Sequence, residues 1–195
     1  MKKILLGGAL LFTLAAPAFA GEDRGIYLVG MAGQATNISN VDSTTSLSGL
    51  LGYRFNSVLA LEGGMALLAE KANYIVPPVG YTGAGSTYTS TSISGAEAAA
   101  KLSLPVTDWF SIFARFGYAS MSRTNNPSPA EVEVSWKGST YGAGVQLTLP
   151  YEIAFGSNKI RIGFRAGVNK YNLTDVTGLL TETPTNTYVG GVILF

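Results

Sequence analysis

The sequence predicts an all-β chain, an eight-stranded antiparallel up-and-down transmembrane β-barrel, from three observations. Apolar and polar side chains alternate in runs of about ten residues separated by turn-forming segments. Hydrophobic residues make up 47% and charged residues only 13% of the chain, yet past the leader no stretch is apolar for the roughly 18 residues of a spanning helix. The last nine residues, Thr187 to Phe195, read as a strand ending on an aromatic residue, which suits a strand that closes a sheet on itself. A barrel reconciles these facts: lipid takes every second side chain, the lumen takes the others, and closure satisfies the backbone in hydrocarbon. The rival, a soluble β-sandwich, would have to bury the outward Leu and Ile sets against a second sheet.

Residues 1–20 form a leader. Lys2 and Lys3, an apolar run from Ile4 to Leu14 and Ala18-Phe19-Ala20 match a signal peptide with an A-x-A cleavage site. Residues 21–195 then form one domain. No cysteine follows, which excludes a lipid-anchoring thiol and any disulfide. Of 13 basic residues, Lys2 and Lys3 lie in the leader, leaving 11 against 12 acidic ones. That balance argues against a nucleic-acid partner.

The elements follow in order. The first strand, Gly25 to Ile38, sets Tyr27, Val29 and Met31 against Leu28, Gly30, Ala32 and Gln34, with no clear polar face. Polar residues from Asn37 to Thr45 read as a loop. In the second strand, Thr45 to Phe55, the outward set is Leu47, Gly49, Leu51, Tyr53 and Phe55, and a two-residue turn is expected at Asn56-Ser57. The third strand, Val58 to about Lys71, sets Leu59, Leu61, Met65 and Leu67 against Glu62, Gly64 and Ala66, which makes Arg54 and Glu62 a candidate ion pair. Asn73 to Ser92 has loop chemistry, and its Gly83-Ala84-Gly85 lacks the Lys-Ser/Thr and helix of a phosphate cradle.

The fourth strand, Ile93 to Leu104, is alanine-rich enough to be a helix, but Glu97 and Lys101 share one strand face and Pro105 with Thr107-Asp108 supplies a turn. The fifth, Trp109 to Ser122, alternates Phe110, Ile112, Phe116 and Tyr118 with Ser111, Phe113, Arg115 and Gly117, before a polar loop from Arg123 to Glu133. The sixth, from about Val134, points Tyr141, Val145 and Leu147 outward. Its turn falls at Pro150-Tyr151 or at Gly156-Ser157-Asn158, and the tolerance of Gly and Asn for positive φ favours the second. The seventh, Lys159 to Tyr171, sets Ile160, Ile162 and Phe164 against Arg161, Arg165 and Asn169, and a loop from Asn172 to Asn186 leads to the closing strand. Two aromatic girdles are expected. Tyr53, Phe55, Trp109, Phe110, Tyr151, Phe155 and Phe195 lie at the turn end, with Tyr74, Tyr118, Trp136 and Tyr171 at the loop end.

Several segments resemble the OmpA-like outer-membrane barrel family: Gly52-Tyr53-Arg54-Phe55, Leu59-Ala60-Leu61-Glu62-Gly63-Gly64, Phe113-Ala114-Arg115-Phe116-Gly117-Tyr118, Gly142-Ala143-Gly144-Val145 and the terminal Phe195. The resemblance implies residence in the Gram-negative outer membrane among lipid and lipopolysaccharide. It also implies insertion by the barrel assembly machinery, with Phe195 as the assembly signal. No peptidoglycan-binding domain follows the barrel, so a cell-wall tether is not implied. An even strand count places both termini with the short turns, on the periplasmic side. The chain is expected to be a monomer.

Chemistry is limited by what is missing. Without His or Cys, no Ser-His or Cys-His nucleophile and no imidazole or thiolate metal site can be built. Asp42, Asp108 and Asp175 lie far apart, so neither an enzyme nor a cofactor is expected. The lumen is the remaining candidate site, with Arg54, Glu62, Glu97, Lys101, Arg115, Arg161 and Arg165 facing inward. Eight strands enclose a space that side chains just fill, so a hydrogen-bonded plug is expected. This points to a structural or surface-interaction role. The alternative is a narrow, anion-preferring passive channel with its inward glycines widening the path.

Overall fold

The computed structural model describes residues 24–38, 41–75, 87–127, 132–155 and 158–195, so the leader lies outside the described residues. The strands are β1 (Gly25–Ile38), β2 (Val41–Arg54), β3 (Leu59–Ile75), β4 (Thr87–Pro105), β5 (Phe110–Pro127), β6 (Val132–Phe155), β7 (Asn158–Asp175), β8 (Thr181–Glu182) and β9 (Thr185–Leu194). They pair antiparallel in the order β6-β5-β4-β3-β2-β1-β9-β7-β8, and β6 also pairs with β7. Because β8 and β9 follow one another along β7, the nine segments fill eight positions of a closed ring. Closure leaves these strands without the open edge that would expose unpaired backbone to hydrocarbon.

Alternation fixes what each face meets. Outward Leu51, Met65, Phe116, Phe164 and Val189 stand 55–65% exposed, whereas inward Leu50, Glu62, Arg115, Arg165 and Tyr188 are at 3% or less. The first strand, ambiguous by composition, turns Tyr27, Val29 and Met31 inward and leaves Ile26 and Leu28 outside. On β5 the outward apolar set runs from Phe110 to Tyr118. At about 3.4 Å per residue and a tilt near 40°, it covers about 20 Å of height, near the roughly 25 Å apolar band of spanning barrels.

Three inward glycines accommodate aromatic rings. Tyr27 lies opposite Gly52, Phe113 opposite Gly144 and Tyr188 opposite Gly167. A Cβ on Gly52 would sit 2.2 Å from the Tyr27 ring, and one on Gly144 2.7 Å from the Phe113 ring. Each aromatic side chain thus crosses the neighbouring strand where no side chain opposes it.

The turn end differs from expectation in detail. Four residues, 55–58, separate β2 from β3 instead of the expected two-residue turn at Asn56-Ser57. The buried Asn56 carboxamide accepts from the Val58 and Leu59 amides and shapes this wider turn. Phe155 pairs with Asn158, so the chain reverses at the second of the two sites considered. The Pro150-Tyr151 signal marks an irregularity, since Thr148 faces Gly163 and Glu152 already faces Arg161. Proline cannot donate to the ladder and is confined to such places.

The loop end requires larger corrections. The loop expected from Asn37 to Thr45 is strand over its described residues: pairing continues from Gln34-Thr45 to Ile38-Val41, with Asn37 at φ 57°. Strands also run into the expected loops at Asn73–Ser92, Arg123–Glu133 and Asn172–Asn186. These extensions are rich in Ser, Thr and Asn, the residue types that also make loops. Gly83-Ala84-Gly85 lies outside the described residues.

Candidate functional site

The middle of the lumen is built around Glu62. Tyr27, Gly52 and Glu62 share one cross-strand row, and Tyr27 reaches over Gly52 to donate its hydroxyl to Glu62 Oε1 at 2.6 Å. Arg115 Nε approaches Glu62 Oε2 at 2.7 Å, and Arg165 Nη1 approaches Oε1 at 2.8 Å. Arg115 also reaches Glu97 Oε1 at 3.2 Å, whose other oxygen accepts from the Tyr171 hydroxyl at 3.0 Å. All six side chains are buried. Breaking such a pair by removing one partner costs about 3–5 kcal/mol, because a buried charge is left behind.

Lys101 belongs to a separate arrangement. It lies directly across from Arg115, and like charges so placed repel. The two side chains diverge: Arg115 turns to the carboxylates, while Lys101 donates to Gln146 Oε1 at 2.7 Å. Arg165 Nη2 donates to the same oxygen at 3.1 Å. Lys101 Nζ also stands 5.5 Å from the Tyr27 ring centre and 5.2 Å from that of Phe113.

Toward the loop end the interior becomes apolar. Ile38, Leu68, Ile93, Met121, Trp136 and Leu173 pack with Tyr171 into one buried cluster. Above it, Arg123 pairs with Glu182, bringing β5 to β8. A second apolar cluster, including Val29, Met31, Leu50, Val192 and Leu194, lines the β9-β1-β2 side of the lumen. Asp175 organises the last turn, accepting from the amides of Leu179 and Leu180 and from the Thr177 hydroxyl.

The structure brings Glu62, Glu97, Arg115 and Arg165 into one network, with Lys101 beside it. Arg54 faces Ala60 near the turn end, whereas Glu62 faces Gly52 one step deeper in the barrel. Arg161 stands opposite Glu152 and Leu194, at the turn-end limit of the ring. Tyr53, Phe55, Trp109, Tyr118 and Phe195 point outward and are 36–56% exposed, with Phe110 half-buried beside Trp109. Trp136 and Tyr171 are corrections: at 5% and 0% exposed they face the lumen, not a girdle. Both strands continue past them, and Tyr171 shares the parity of Arg165 and Asn169. Among the loop-end aromatics, Tyr141 stands outward near Tyr118.

Composition alone did not single out Gln146, Tyr27, Phe113 or the Arg123–Glu182 pair. The inward parity of Gln146 and Phe113 was visible. Arg123 and Glu182 were assigned to loops because their strands continue where the outward face becomes polar.

The sequence matches the family model for the outer membrane protein beta-barrel domain over residues 6–190. No curated protein matches it by sequence. Neisserial surface protein A aligns at 16% identity over 87% of this chain and 96% of its own, with a TM-score of 0.58. Ail of Yersinia pestis, solved with the heparin analogue sucrose octasulfate, aligns at 13% identity over 88% and 98%, with a TM-score of 0.54. The N-terminal barrel domain of Pseudomonas aeruginosa OprF gives 13%, 88%, 98% and 0.52 in the same order. At these identities the likeness is one of fold, and it agrees with the closed eight-position ring. With its family match spanning nearly the whole sequence, the chain belongs to the outer-membrane β-barrel family.

Proposed function

We propose that this protein is a non-enzymatic, closed outer-membrane barrel that holds a rigid rim above the bilayer for surface interaction. On this reading residues 1–20 are a cleaved signal peptide, both termini face the periplasm, and Phe195 serves the barrel assembly machinery. The mature chain is a monomer in contact with outer-membrane lipid and lipopolysaccharide. The observation that carries the proposal is the filled interior: an ionic network at mid-height is backed by a buried apolar cluster containing Trp136, Tyr171 and Met121. An aqueous path needs polar walls along its length, and this cluster interrupts them. The strands also extend past the outward apolar band, which suits display of the rim and loops.

Planar-bilayer recording of the refolded full chain tests the closed interior. No steady single-channel current is expected. Steady currents that persist in the purified wild type and vanish when the lumen is blocked would replace this reading with the passive channel.

A further inference from the structure

We propose a small-anion site inside the turn-end mouth of the barrel, with Lys101 as its charged floor. The buried middle layer carries three cations, Lys101, Arg115 and Arg165, against two carboxylates, Glu62 and Glu97. Both carboxylates are engaged by arginine. Lys101 is 5% exposed, and among the described residues it has no carboxylate within ion-pair distance. Its acceptor is the neutral Gln146 oxygen, which it shares with Arg165.

A buried ammonium without a counter-charge either loses its proton or gains an anion. Two features favour the anion. The faces of Tyr27 and Phe113 lie 5.5 and 5.2 Å from Nζ and stabilise the charged form. Lys101 also borders a cleft of about 80 Å³ that opens toward the turn end, several times the roughly 10–15 Å³ that admits one water.

Ser103, Ser111 and Thr148 line that cleft with Gln146, whose amide donates to Thr148 Oγ1 at 3.5 Å, and their hydroxyls are the donors the cleft offers an anion. Arg54 and Asp108 also line it and carry opposite charges. The chemistry fits a small inorganic anion such as phosphate or chloride, held at a blind end since the apolar cluster closes the lumen beyond.

The test uses the full chain in zwitterionic-lipid nanodiscs, titrated with inorganic phosphate and separately with chloride while the backbone amides are followed by NMR. Saturable shifts at Lys101, Ser103 and Gln146 with millimolar anion, lost in K101M, are expected. S111D, which places a carboxylate in the cleft, is expected to remove the response as well and keeps the test decisive if K101M does not fold. A parallel sample with anionic lipid and no added anion distinguishes sources: the same shifts there would assign the site to a lipid headgroup and overturn the free-anion proposal. It is also overturned if the wild type shows no saturable shift, or if either folded variant responds like the wild type.

Discussion

The two halves of the barrel are inside-out relative to each other. At mid-height and toward the turns, Leu51, Met65, Phe116 and Phe164 face outward, and Glu62, Arg115 and Arg165 face inward. Toward the loops the inward side chains are Leu68, Ile93, Met121, Trp136 and Leu173. The exposed outward set there is Thr45, Ser120, Lys137, Ser139, Lys170 and Asn172. The first half is organised for hydrocarbon and the second for water, although the same strands run through both. The bilayer boundary therefore lies at the inversion rather than at the strand ends; inside the first half an ion-pair network stands beside the apolar cluster of the β9-β1-β2 side, whereas apolar burial dominates inside the second.

Substitutions that strike one half should separate these two sources of stability. The largest effect is expected for Glu62→Ala, which leaves Arg115 and Arg165 facing each other without their shared carboxylate. A loss of about 3–5 kcal/mol is expected in urea unfolding of the detergent-folded barrel. Trp136→Ala should cost a comparable or slightly smaller amount, about 3–5 kcal/mol, through the cavity it opens in the apolar half. Because the two sites lie in different layers, the double variant should be additive within about 0.5 kcal/mol. A large coupling would show that the halves are one network.

The outer face offers a sharper contrast. Met65→Arg places a charge in the apolar band and should cost about 2–4 kcal/mol, whereas Ser139→Arg above the inversion should cost about 0–1 kcal/mol. Equal penalties in lipid-vesicle refolding would mean that the boundary is misplaced.

The smallest effect concerns the last turn. The Thr177 hydroxyl, then the Leu180 and Leu179 amides, hold the Asp175 carboxyl below the usual carboxylate range. A depressed folded pKa means that this stabilisation is present above the unfolded value and is lost as pH falls through the folded one. Hydrogen exchange at Leu179 and Leu180 should therefore accelerate relative to neighbouring amides only under strongly acidic conditions. Asp175→Asn should remove that pH dependence.

The inversion also explains which parts of the fold could be read in the sequence. Where lipid faces the strand, Leu47-Leu51-Tyr53 or Ile112-Phe116-Tyr118 announces the outward parity, and the inward charges follow from it. Past the inversion the outward residues are Ser, Thr, Asn and Lys, the same residues that make loops, so the ends of β1, β2, β5 and β7 looked irregular. Trp136 and Tyr171 were misplaced for that reason: a ring taken to end a strand reads as a girdle, but one in mid-strand follows its parity. The charge partners were legible only as a set. Glu62 meets Arg115 and Arg165 because the ring closes, and neither strand β5 nor strand β7 adjoins β3.

The most direct test is a spin-label accessibility scan along β5, made simple by the absence of cysteine from the chain. Labels at Ile112, Phe116 and Tyr118 should be open to oxygen in the lipid, and a label at Ser120 to a water-soluble nickel chelate. Labels at Phe113, Arg115 and Ala119 should be shielded from both. Lipid exposure continuing through Ser120, or nickel reaching the inward positions of a folded barrel, would contradict the account.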